Sequence, residues 1–274
     1  TGVSPISISR ILRGTGRESE KTSARVLAAA AKLGYRPNGV ARAMRRGSFG
    51  AVGLLRSTEP SSASISHSFL WAIEHELLAH GLHLVMGQVP DEKLTNRSTV
   101  PRLLGEWSVD GLLVNYTAHA PEKMLDLLAE FHLPSVWLNL RLRTNCVYPD
   151  DFRATHDATA KLLSMGHRRI AYLGKRPVPG VHYSILDRLN GYCQAMDAAA
   201  AKSAPELFEK SQDCLSLFIE AMRKPKRPTA VVAYSEWEAT VAIIAAARLG
   251  LELPRDLSLI AIRHDEVLIG DLDV

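Results

Sequence analysis

Residues 2–47 read GVSPISISRILRGTGRESEKTSARVLAAAAKLGYRPNGVARAMRRG, and two apolar stripes in this stretch decide how the chain begins to fold. Ser4 suits a helix N-cap, and Pro5 then falls at the first helical position, where a missing N–H costs nothing. Ile8, Ile11 and Leu12 recur at i, i+3 and i+4, so a short amphipathic helix is predicted, ended by Gly14 and Gly16. A second helix opens after Ser19, runs through Val26, Leu27, Ala30 and Leu33, and stops at Gly34. Arg36-Pro37-Asn38 breaks the chain. Residues 39–46 are helix-capable but too short to be helical alone in water, and Gly47-Ser48 makes a joint.

Charge separates this head from the rest. Residues 1–48 hold ten Lys/Arg and two acids, a net +8, whereas the remaining 23 basic and 27 acidic residues leave −4. A small basic head on a mildly acidic body points to a polyanionic partner. The solvent-facing side of the first helix would offer Ser4, Pro5, Ile6, Ser7, Ser9, Arg10 and Arg13. Small hydroxyls can hydrogen-bond phosphates at close range, and the Arg10 guanidinium matches the two acceptors on the edge of guanine.

From Ala51 the texture changes. Short apolar runs at 51–55, 82–86, 109–116, 134–139, 169–173, 229–234 and 257–262 alternate with helical segments at 67–80, 97–106, 121–131, 152–165, 185–200, 212–223 and 236–249. Gly81, Gly166 and Gly250 stand where three of those helices should end. Alternation of this kind, with nearly continuous apolar strands, predicts parallel sheets covered on both faces. Ligands in such sheets sit beyond the carboxyl ends of the strands. The residues at the ends of the runs are therefore the candidates: Asn139, then Asp150 and Asp151 after the short run Cys146 to Tyr148, then Tyr234, Ser235 and Glu236, then Arg263, His264 and Asp265. Trp71, Trp137 and Trp237 are candidate stacking partners for a sugar face, each equally able to be packing.

The head resembles the DNA-binding domain of the lactose-repressor (LacI/GalR) family. Gly2-Val3-Ser4, Ser9-Arg10, the run Gly34 to Asn38 and Ala41-Arg42 coincide with the family pattern in order and spacing. Markers in the body are Val109 to Leu113, LLSMGHRRIAYLG at 162–174, DRLNGY at 187–192, and Leu253 to Ser258. The resemblance implies an α/β protein with a small all-α helix-turn-helix head on a two-lobed, periplasmic-binding-protein-like domain with parallel sheets. The expected division is a head at 1–36, a hinge helix and linker at 37–48, and lobes at 49–149 and 150–274. It implies that Ser4 and Ser7 touch phosphate, that Pro5, Ile6 and Arg10 face bases, and that hinge residues Asn38, Ala41, Arg42, Met44 and Arg45 enter the minor groove. Met44 stands where an apolar wedge, usually leucine, unstacks a base step. In the cleft it implies an effector contact at Arg188, with Asn139, Asp151, Ser235 and His264 as further candidates. The family commonly has Asp at the place of Asn139, Asn-Asp at Tyr234-Ser235 and Asp-Asp at Arg263-His264, so the usual hexose pattern is altered.

The resulting expectation is a cytoplasmic, homodimeric transcriptional regulator, a repressor by family habit. Its partners would be double-stranded operator DNA and a small effector, a sugar or sugar derivative. The resemblance further implies a helix before Gly2 and a return crossover after Val274. Weak operator binding by residues 1–274 alone, rescued by N-terminal extension, is therefore expected. An enzyme is the first rival, on the cluster Asp150, Asp151, His156 and Asp157. No HExxH, Cys-x-x-Cys, G-x-S-x-G or GxGxxG motif accompanies it, so helix-surface charge explains it better. We expect no catalytic residue, cofactor or metal. The second rival is a periplasmic-type sugar-binding protein without DNA binding, which the basic head argues against. No apolar run reaches the ~18 residues of a membrane span, and three widely spaced cysteines read as idle thiols.

Overall fold

The computed structural model describes residues 2–35, 47–58, 65–100, 106–116, 120–201, 204–208 and 213–262. It divides into two compact units, Thr1–Gly50 and Ala51–Val274. In the first, α1 (Pro5–Ile11) is capped by the Ser4 hydroxyl, which accepts from the Ser7 amide at 3.2 Å. Helix α2 (Glu20–Lys32) is capped by Ser19, which accepts from the Thr22 amide at 3.4 Å. Both caps stand where the sequence predicts them. Gly14, at φ +69°, turns the chain out of α1, and Thr15 N–H closes back on the Arg10 carbonyl at 3.1 Å. This left-handed corner suits a residue without a Cβ. Ile11 and Val26 are the buried side chains of the pair; Leu27 and Leu33 of the apolar stripe are exposed, and Ile6 is open to solvent as expected.

The second unit contains two parallel sheets. The first runs β1 (Ala51–Arg56), α3 (His67–Ala79), β2 (His83–Gln88), α4 (Asp91–Leu94), β3 (Gly111–Asn115), α5 (Glu122–Glu130), β4 (Ser135–Leu138) and β5 (Cys146–Val147). Its strand order is β2-β1-β3-β4-β5. The second runs α6 (Asp151–Ser164), β6 (Ile170–Lys175), α7 (Tyr183–Ala198), β7 (Ala204–Phe208), α8 (Cys214–Arg223), β8 (Ala230–Ala233), α9 (Glu236–Arg248) and β9 (Ser258–Ala261), ordered β7-β6-β8-β9. The parallel α/β sheets are those the alternation predicts, and the two lobes are those the resemblance implies. Two details differ. Strand β7 was not foreseen, because APELF carries Pro205 and Glu206 and no apolar run; Pro is tolerated there because β7 is an edge strand. Of the predicted helix 97–106, residues 97–99 form a turn, while 101–105 lie outside the described residues.

The second sheet is buried on both faces. Leu173, Val231 and Ala233 pack under Phe218, Ala242 and Ala246 of α8 and α9. Ile170, Tyr172 and Val232 pack against Ile185, Tyr192 and Met196 of α7. The GHRRIAYLG run sets the start of this sheet. Gly166 ends α6 at φ +96°. His167 then bridges Thr229 at 2.9 Å and Ser258 at 3.0 Å, so one imidazole ties the approaches to β6, β8 and β9 together.

Helices α6 and α7 approach so closely that Gly191 has no room for a side chain. A Cβ there would lie 2.2 Å from the Phe152 carbonyl oxygen and 3.0 Å from the His156 amide nitrogen. Both obstacles are backbone and cannot rotate away. Gly191→Ala should therefore lower stability by about 2–3 kcal/mol, read as a lower midpoint in urea unfolding at unchanged slope. An unaltered midpoint would contradict this packing.

Candidate functional site

The carboxyl ends of the second sheet's strands meet the first turns of three helices. Asp150 caps α6, accepting from the Arg153 amide at 3.0 Å, and this delivers Asp151 inward at the next position. Arg188, two turns into α7, meets it there. Its Nε donates to Asp151 Oδ1 at 2.7 Å, and Nη2 lies 2.6 Å from the same oxygen. Nη1 donates to the Tyr234 carbonyl at the end of β8. The guanidinium also lies over the Tyr234 ring, 4.6 Å from its centre. Both ions are about 1% exposed. A charge so buried persists only when paired and hydrogen-bonded.

A hydrogen-bond chain leaves this pair for the first sheet. Asn139 follows β4 at φ +57°, a left-handed conformation that asparagine tolerates. Its carbonyl faces His182 Nε2 at 2.7 Å, so that nitrogen must carry the proton. In the neutral ring Nδ1 is then an acceptor, 2.8 Å from the Ser184 hydroxyl. Ser184, committed as donor, accepts from Tyr234 Oη at 2.8 Å. Tyr183 adds a second link, donating to Asn139 Oδ1 at 3.1 Å. Arg141 completes it, paired with Asp187 and lying over the rings of Tyr148 and Tyr183 at 5.3 and 4.8 Å. The Asp187 hydrogen bond raises the Arg141 pKa. Burial raises the phenols of Tyr172, Tyr183 and Tyr234, so all three are neutral donors at physiological pH.

The structure therefore brings Asn139, Asp151 and Arg188 into one connected network. Ser235 adjoins it as the cap of α9, accepting from the Trp237 amide at 3.3 Å and donating to Glu238. His264 lies outside the described residues. On the first sheet, Arg56 ends β1 in register with Gln88 and Asn115. Sequence reading missed Arg56 although it follows the AVGLL run directly. It also missed Glu238, for which the Ser235-x-x-Glu238 capping spacing was the available signal. Of the tryptophans, Trp137 is core, edge-on to Tyr116, whereas Trp71 stacks on His75 in the open and Trp237 is exposed. A groove of about 490 Å³ lined by Leu125, His132, Pro134 and Thr144 adjoins the starts of β4 and β5, not the strand ends where the polar groups converge.

The enzyme-like cluster falls apart in three dimensions. Asp150 is a cap and Asp151 is buried against Arg188, so the latter is not helix-surface charge. His156 and Asp157 pair with each other at 3.1 Å on the outer face of α6. Among the described residues, no three His, Cys, Asp or Glu gather as metal ligands, and no helix is long and apolar enough to cross a membrane. In the head, Ser4, Pro5, Ile6 and Arg10 are exposed and Ser7 is half-buried. Asn38, Ala41, Arg42, Met44 and Arg45 lie outside the described residues.

Two family patterns match this chain: bacterial regulatory proteins of the lacI family over residues 1–38, and the periplasmic binding protein-like domain over residues 159–273. The HTH-type transcriptional repressor PurR of Escherichia coli O139:H28 is 30% identical over 269 residues, covering 94% of this chain and 76% of that protein. PurR of Shigella boydii serotype 18 is similar to the same extent. The chain belongs to the lacI family. It is a transcriptional regulator and not an enzyme. Among solved structures, the lac repressor dimer bound to operator and the anti-inducer ONPF superposes with TM-score 0.72 at 23% identity, covering 95% of this chain and 78% of that one. A LacI family regulator from Mycobacterium smegmatis gives TM-score 0.57 at 26% identity over 77% of each chain.

For this lacI-family member, the buried ion pair makes a direct prediction. Asp151→Asn keeps the shape but leaves Arg188 unpaired out of water. Stability should fall by about 3–5 kcal/mol, seen as a lower midpoint in denaturant. A change below about 1 kcal/mol, the range of exposed pairs, would show that Arg188 is solvated.

Proposed function

We propose that this regulator is a homodimeric repressor that grips a pseudo-palindromic operator and is controlled by a small molecule held between its two lobes. The observation that carries the reading is the presence, on one chain, of a lacI-type head and a periplasmic-binding-like body. Helix α1 would lie in the major groove, with Ser4 and Ser7 on phosphates and Pro5, Ile6 and Arg10 at the bases. Pro5 and Ile6 can contact thymine methyls but donate nothing, which leaves Arg10 as the hydrogen-bonding reader. Hinge residues Asn38, Ala41, Arg42, Met44 and Arg45 would enter the minor groove, Met44 as the wedge. The effector, a sugar or sugar derivative, would contact Asn139, Asp151, Arg188, Ser235 and His264. Such proteins work in the cytoplasm.

Exposed apolar side chains support the dimer. Helix α3 has no buried residue. Its Phe69, Trp71 and Leu78, with Val85 and Met86 of edge strand β2, lie open to solvent. A second copy would cover them, which is the usual reason for such a patch. The rival of a DNA-independent sugar-binding protein has no use for a head of net charge +8.

Selection of DNA from a random pool should recover a palindrome, and Arg10→Ala should lose about 1–3 kcal/mol of discrimination at one base pair per half-site. Affinity should fall steeply with salt. Undiminished base selectivity in Arg10→Ala would remove Arg10 from the reading face. Enrichment of sequences without twofold symmetry would overturn the operator reading.

A further inference from the structure

Helix α3 carries a stripe that is complementary to its own reversal. Trp71, Glu74, His75 and Leu78 stand at i, i+3, i+4 and i+7, so they share one side of the helix. All four are exposed, Trp71 to 58% and Leu78 to 71%. The half-buried Leu70, Ile73 and Leu77 form a different side, and α3 packs on β2. Within the stripe the Trp71 and His75 rings stack, 5.0 Å between centres and 12° between planes.

The order along the stripe is apolar, acid, base, apolar, and its midpoint lies between Glu74 and His75. A twofold axis repeats every contact it creates. Two such helices laid antiparallel about an axis at that midpoint bring Trp71 against Leu78 of the second copy, and Glu74 against His75 of the second copy, each twice. The other titratable groups nearby are few. Glu76 lies away from the stripe, 3.1 Å from His80. His67 stands two turns before His75, and His83 opens β2. Glu59, which precedes α3, lies outside the described residues.

We propose that α3 pairs antiparallel with α3 of a second copy through this stripe, and that uptake of a proton by His75 tightens the pairing. This rests on the homodimer reading above and adds a seam and a proton dependence to it. Histidine changes its charge between about pH 5 and 8. A neutral imidazole brings no charge to the carboxylate it meets, whereas an imidazolium does. The proton is therefore held more tightly in the dimer than in the free chain. Association is strongest on the acid side of that range, while Glu74 is still ionised, and weakens as pH rises through it. Trp71 keeps the ring at the seam in both charge states, because an indole face also attracts a cation.

Sedimentation equilibrium of the whole chain tests this. Two exposed pairs of ordinary strength predict a dimer about threefold to tenfold tighter at about pH 6 than at about pH 8. His75→Gln and Glu74→Gln should each abolish that difference, and Leu78→Asp should weaken the dimer at both values. All three positions are exposed, and circular dichroism checks that each variant folds. A dimer indifferent to pH, or one weaker on the acid side, would overturn the proton dependence. A pH response that survives in both glutamine variants would remove the Glu74–His75 contact. A folded Leu78→Asp variant that dimerises like the wild type would take α3 out of the seam while leaving the dimer in place. A chain that is monomeric at every concentration and pH would sink the dimer reading itself, and this proposal with it.

Discussion

Arg188 and Asp151 have both been taken out of water, and the arrangement of the second sheet follows from keeping them together. Desolvating two ions costs several kcal/mol each, and their attraction repays this only with good geometry and with the remaining hydrogen bonds filled. The chain meets both conditions through backbone placement. Asp150 caps α6 so that Asp151 faces inward, and the absence of a side chain at Gly191 lets α7 come near enough to present Arg188. The end of β8 supplies a carbonyl and the Tyr234 ring supplies a face. Three elements are held at one point by one guanidinium. A well-packed apolar cluster in the same place could be as stable, so the pair is better understood as fixing geometry than as adding stability.

Continuity with the first sheet depends on that geometry. The N-terminal end of α7 carries His182, Tyr183 and Asp187, which meet Asn139 and Arg141 beyond β4. The helix that holds the ion pair in its second turn therefore holds the neighbouring lobe with its first. The Arg141–Asp187 pair is partly exposed and contributes little by itself. The weight falls on the neutral hydrogen bonds, whose donors are fixed by the Asn139 carbonyl through a single imidazole tautomer.

Much of this fold was legible in the sequence, and the reasons are local. Ser4-Pro5 and Ser19 announce helix starts because a hydroxyl cap and a proline each have one cheap place to be. Strands β6 and β8 announce themselves because burial on both faces demands unbroken apolar runs. Strand β7 escaped because an edge strand tolerates Pro205 and need not be apolar. Of the site, Arg188 was legible through the resemblance alone, and Asp151 through its place after the short run Cys146 to Tyr148. Glu238 was not, since a glutamate three residues after a serine is ordinary at a helix start, and only its burial distinguishes it. Trp137 was ambiguous for the opposite reason: an aromatic at a strand end can stack on a ligand or fill a core, and periodicity does not tell these apart.

Control by a ligand requires that the ligand bind two arrangements of the protein with different free energies. The hydrogen-bond chain from Tyr234 to Asn139 offers a physical origin for that difference. Tyr234 touches Arg188 with its ring and carbonyl and gives its hydroxyl proton to Ser184. A molecule that claimed that proton would free Ser184 to turn away from His182, and the imidazole would lose the contact that holds its tautomer toward Asn139. Each of these bonds contributes only about 1 kcal/mol net, but they act in series between the two lobes. A perturbation of one end therefore alters the contact at the other without any long-range rearrangement of the sheets. Because the bonds are neutral, the coupling should vary little with salt, whereas the grip of a basic head on a polyanion varies steeply with it. Sensing and gripping thus draw on different physical interactions within one chain.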